Sequence, residues 1–228
     1  MHPDQNVSPL NPLPPVVWLL ALPIIAMEAV LALGAAGLVG DPSAVGWRLD
    51  AVQRFAVAPE LTRWMFENRV WPLEGLMRFV TYPFVQGSTT QAIFVVVILL
   101  ALGKIVGEVF RWWAVLAVFF LSSIVAAVGF SALPFIEVPL FGGYPGNYGL
   151  IGAFTWLMWT RLRGSGSMQY RAFTMIAFLM GVQLLFGLLF GTGPWWIAEL
   201  IGFLTGFALS FLVSPGGLRH LIAQMRSR

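Results

Sequence analysis

The sequence has no cysteine, a single lysine at Lys104, two histidines, and only 10% charged residues. Without cysteine, disulfides and thiolate metal sites are excluded, and the chain carries no signal of its redox compartment. His2 and His220 lie near the two ends, so no long apolar stretch holds an imidazole to act as a general base. So little charge excludes a water-soluble globule, in which about a quarter of the residues are charged. The chain is apolar instead: 58% of its 228 residues are hydrophobic, with 10 Trp and 19 Phe. Most side chains must therefore be solvated by lipid. The net charge of +3 and pI near 9.8 come from basic residues scattered around apolar segments. They form no patch interleaved with aromatics, so lipid headgroups rather than nucleic acid are the expected partner.

Hydrocarbon cannot hydrogen-bond to the backbone, so each long apolar run must be a helix or a barrel strand, and runs near twenty residues decide for helix. Such runs fall at residues 16–39, 82–102, 112–133, 147–160, 172–190 and 195–213. The fourth is short for a span and is expected inside the bundle. The predicted fold is all-α, a polytopic membrane protein with six transmembrane helices. Its expected parts are an N-terminal arm (1–15), a membrane domain (16–214) and a basic tail (215–228).

Between the first two runs, residues 40–81 hold Arg48, Arg54, Arg63, Arg69 and Arg78 together with Asp41, Asp50, Glu60, Glu67 and Glu74. Trp47, Phe55, Trp64, Met65, Phe66 and Trp71 are interleaved among them. That pattern is amphipathic, and the segment is expected to lie partly in the membrane interface. The other eight basic residues, Lys104, Arg111, Arg161, Arg163, Arg171, Arg219, Arg226 and Arg228, share one side of the predicted topology. The positive-inside rule makes that side the cytoplasm, with both termini on it and segment 40–81 and loop 134–146 outside. No internal repeat of a two-halved transporter is present. Gly149 and Gly152 on run four, and Gly202 and Gly206 on run six, form small-residue faces that predict contact between these runs.

Four stretches together resemble a known family, the rhomboid intramembrane serine proteases, over residues 76–214. The stretch from Met77 and Arg78 through Thr81-Tyr-Pro-Phe84 to Gln86, Gln91 and Val95 is similar to the family's entry into its second span. Ala101-Leu-Gly-Lys-Ile-Val-Gly-Glu108 followed by Arg111-Trp-Trp resembles the turn into the third. Gly142-Gly-Tyr-Pro-Gly-Asn-Tyr-Gly-Leu-Ile-Gly-Ala153 resembles the serine-bearing loop and fourth helix, and Ile197-Ala-Glu-Leu-Ile-Gly-Phe-Leu-Thr-Gly206 the sixth, which bears a histidine in the family. The resemblance places Tyr144 at the serine position and Glu199 at the histidine position. Gln86, Gln91 and Val95 stand at the two histidines and the asparagine that help bind the oxyanion. The resemblance therefore implies a catalytically degenerate member, a rhomboid-like pseudoprotease with no catalytic residue. A vestigial, client-contacting cavity is expected from Tyr144, Asn147, Tyr148, Glu199, Gln86, Gln91 and Arg78.

The chemistry of the residues leads the same way. A serine becomes a nucleophile when a base within hydrogen-bond reach takes its proton. No span contains a histidine, and Lys104 lies at the opposite, cytoplasmic end from an outward-facing site. A phenol with a pKa near 10 makes Tyr144 a poor substitute. Glu28 and Glu199 are the only acids within spans. Glu199 reads either as a polar anchor of the cavity or as a hydrated helix-end residue, and Glu28 as protonated, as paired with a helix-end arginine, or as a contact for a partner span. Gln86 and Gln91 are expected to hydrogen-bond inside the bundle. The function expected is binding of transmembrane clients or partner subunits without cleavage. An active rhomboid-type protease with an atypical site, and a small transporter or proton pathway using Glu28 and Glu199, stay open as alternatives. No cofactor or metal is implied, the partners expected are membrane lipid and a transmembrane helix, and the location expected is a bacterial inner membrane. Sequence does not specify the oligomeric state.

Overall fold

The computed structural model describes residues 12–162, 166–190 and 193–214. The described chain is all-α: α1 (Pro15–Ala35), α2 (Trp47–Phe55), α3 (Pro59–Asn68), α4 (Leu73–Thr81), α5 (Thr89–Gly107), α6 (Trp112–Ser131), α7 (Tyr144–Arg161), α8 (Thr174–Phe190) and α9 (Trp195–Val213). Helices α1, α5, α6 and α9 are long and apolar enough to cross a membrane. With α7 (18 residues) and α8 (17 residues) they make up the six long helices of a polytopic bundle. His2, His220, Arg163, the tail 215–228 and most of the arm 1–15 lie outside the described residues.

Several boundaries differ from the apolar runs, each for a local reason. The second run is helical only from Thr89. Its first residues, Tyr82–Phe84, form a 3-10 turn containing Pro83, which lacks a backbone donor. Ser88 then caps α5, its Oγ accepting the backbone N–H of Gln91 at 3.2 Å. The fourth run is longer than expected because Tyr144 and Pro145 belong to its first turn, where proline is tolerated. The first run stops at Ala35, ahead of Gly37 and Gly40 with φ of +68° and +89°, a left-handed geometry that favours glycine. Helix α6 ends at Ser131, three residues before Pro134.

Helix α7 is the centre of the bundle, packed most extensively against α9, then α6 and α5. A methyl group on Gly206 would collide with the Gly149 carbonyl, and one on Gly202 with the Pro145 carbonyl. The predicted contact between runs four and six is therefore a backbone-to-backbone approach. Helix α1 lies on α5, with Val17 against Gly103. Helix α8 packs lightly, against α9 and the 3-10 turn Gly166–Phe173 that precedes it.

Segment 40–81 is an ordered cap built from α2, α3 and α4. A second core joins Val57, Met65, Phe79 and Tyr82 to Phe130, Ile136, Leu140 and Ala198. Val57 and Leu140 exchange both backbone hydrogen bonds, each 2.9 Å, in an isolated bridge. The Arg63 guanidinium donates to the carbonyls of Ser131, Leu133 and Ile136 at 3.1, 3.2 and 3.1 Å, so it satisfies the otherwise open end of α6. Trp64, Phe66, Trp71, Leu73 and Met77 face outward.

Candidate functional site

The first turns of α5, α7 and α9 meet at one end of the bundle, the loop end. Lys104 and Arg161 occupy the last turns of α5 and α7, and Arg111 immediately precedes α6, so all three lie at the opposite end. At the loop end a cavity of about 430 Å3 opens between α5, α7, α8 and α9. Gln91, Tyr144, Glu199 and Gln183 line it together with Phe141 and Trp195.

Tyr144 reaches this cavity because the preceding loop is tied down on both sides. Gly142 has φ of +93°, and its N–H donates to the Tyr82 carbonyl at 3.0 Å. The Gly143 N–H points to Gln86 Oε1 at 3.4 Å. Gln86 is buried and donates its amide to the Pro83 carbonyl at 2.8 Å. It thus braces the loop from behind and does not line the cavity. Gln91 takes the Gly87 N–H at 3.0 Å. The Ser88–Gln91 pair is a helix-capping arrangement, closely related to a capping box.

Behind Tyr144, Asn147 is fully buried and donates to the Val95 carbonyl at 2.8 Å, joining α7 to α5. Val95 therefore contributes its carbonyl to the site, and its side chain packs against Gly143. Glu199 is 5% exposed. Its carboxyl lies close to Tyr148 and Gln183, and among the described residues its Oε2 has no hydrogen-bond partner. The Tyr148 hydroxyl in turn lies 3.5 Å from Gln183 Oε1.

Of the expected site residues, Tyr144, Glu199 and Gln91 share the cavity, Tyr148 touches it through Glu199, and Gln86, Asn147 and Val95 form its support. Arg78 does not join them. It donates to the Ala56 carbonyl at 2.9 Å and lines a separate cavity of about 380 Å3 with Glu60 and Glu137. The last turn of α4 points it into the cap, away from α5. Glu28 is also elsewhere: Arg48 binds it at 2.6 and 2.9 Å, and the Thr89 hydroxyl donates to it at 2.7 Å. The same guanidinium donates to the Gln86 carbonyl at 2.9 Å. This network fastens α1 and α2 to the entrance of α5.

Sequence reasoning passed over Gln183, Trp195 and Phe141. Gln183 carried a readable signal, a lone amide in the apolar run 172–190. The two aromatics carried none among so many. Chemically the arrangement can accept hydrogen bonds and enclose a side chain. Ser88 is spent as a helix cap, and Tyr144 and Tyr148 lie near the Glu199 carboxyl.

A family model, the Rhomboid domain, matches residues 73–216. No curated protein matches the chain significantly.

Proposed function

The chain belongs to the rhomboid family, and from that premise we propose that it is a pseudoprotease, a bundle that binds transmembrane helices of clients or partner subunits without cutting them. The observation that carries this reading is the composition of the cavity. Where an acyl-transfer site needs a nucleophile hydrogen-bonded to a base, this one presents Tyr144 opposite Glu199, itself contacted by Tyr148 and Gln183. The backbone donors of Gly87, Gly142 and Gly143 are occupied by protein acceptors, so none of these three is free for a developing oxyanion.

Binding is favoured by the same features. Lightly packed α8 leaves the cavity near the edge of the bundle, where another helix can approach from the bilayer. An amphipathic cap whose Trp64, Phe66 and Trp71 sit at the interface perturbs the bilayer locally and lowers the cost of that approach. In the membrane, the end carrying Lys104, Arg111 and Arg161 faces the cytoplasm. A relay through Glu28 and Glu199 has less support, because Glu28 is held by Arg48 and does not line the cavity.

A fluorophosphonate probe tests the reading on detergent-purified protein. No specific labelling is expected, and stoichiometric labelling of a serine would overturn it.

A further inference from the structure

Glu199 is the only charged side chain among the described residues that is fully buried, and no lysine or arginine lines its cavity. The contrast with Glu28 is informative, since that carboxylate has Arg48 at 2.6 Å. A carboxylate inside a span is costly unless a cation or several donors meet it. Glu199 has Tyr148 and Gln183 as neighbours, while its Oε2 is without a partner among the described residues. The cavity's walls suit a cation as well. Tyr144, Phe141 and Trp195 line it, and aromatic faces attract ammonium and guanidinium groups. Trp195 is fixed as a wall by its Nε1 donating to the Pro139 carbonyl at 3.2 Å and by edge contact with Phe141 at 6.5 Å. A space of about 430 Å3 admits the stem and head of one long side chain. It cannot admit a helix, which is roughly 10 Å across.

We propose that this cavity selects clients whose transmembrane helix carries one lysine or arginine near its loop-side end, the cationic head entering the cavity to pair with Glu199. The inference rests on the client-binding reading and gives it a chemical rule. A basic residue just inside a span is itself short of a partner in lipid. Pairing relieves both groups, and the aromatic walls exclude water from the pair.

The test uses the full chain in lipid nanodiscs and fluorescent leucine-alanine spanning peptides. The peptides differ at one position, a turn inside one end, where they carry Lys, Arg, Asn or Leu. Lys and Arg peptides are expected to bind roughly tenfold tighter or more than Asn and Leu peptides, the gain of a charge-assisted hydrogen bond. Glu199→Gln should abolish that preference, bringing the Lys and Arg peptides to the affinity of the Asn peptide. Equal binding of all four peptides would overturn the proposal and leave client binding standing. Equal binding of Asn and Lys peptides would overturn it too, because the site would then read hydrogen-bond donors and not charge. Failure of every peptide to bind would overturn both readings. The comparison of peptides on the unaltered protein decides the matter even where E199Q does not fold.

Discussion

On the proposed reading, the surroundings of Tyr144 and Glu199 serve support and not reaction. Gln86 and Gln91 engage the backbone around Gly143 and Gly87, so the replacement of the family's oxyanion residues extends to the backbone donors next to them. Introducing Tyr144→Ser together with Glu199→His should therefore not produce cleavage of a model spanning substrate. Product appearing on a gel would show that a nucleophile and base suffice. Glu28 illustrates a different demand. Its pair with Arg48 is partly buried, and removing one member strands the other. Glu28→Leu should lower stability by about 2 kcal/mol, seen as a lower melting temperature in detergent, and adding Arg48→Leu should recover part of it. A double variant less stable than either single one would mean that Arg48 matters through Gln86 and Thr89 instead.

Among the elements, the junction of α7 and α9 is the most constrained. Its glycines bring backbone onto backbone, leaving no flexible side chain to move aside. Gly206→Ala should cost ~3 kcal/mol or more, whereas Gly181→Ala on α8, where a new methyl meets nothing within 4 Å, should be neutral or slightly stabilising. Comparable melting of the two variants would contradict the close approach. This contact was legible in the sequence, because small residues one turn apart have few other uses within lipid. The start of α5 was legible only in part. The polar stretch Gln86-Gly-Ser-Thr-Thr-Gln91 interrupts the apolar run, and the signal for the helix start, Ser88 with Gln91 three residues on, is a local hydrogen-bonding pattern that a count over a long window overlooks. Arg78 was misplaced for a related reason. Order along the chain put it beside the family's second-span entry, but the face of α4 that carries it turns into the cap.

For the whole molecule, three arginines of segment 40–81 are held by the protein itself. Arg48 neutralises Glu28, Arg63 caps α6, and Arg78 bonds to Ala56. These three are committed to protein groups 20 to 73 residues away in sequence, a partnership that no pattern along the chain discloses. They are structural cations, which leaves the basic residues at the other end, Lys104, Arg111 and Arg161 among them, as the proposed determinants of orientation. On the proposed reading, the cap and the cavity receive a transmembrane client through one of its side chains and leave it uncut. The most direct test incubates the purified chain, in nanodiscs, with a spanning peptide that binds it, and follows peptide mass over time. The peptide is predicted to remain bound and intact. A pair of fragments whose masses sum to the peptide plus one water, formed in proportion to this protein and absent from a mock purification, would contradict the account.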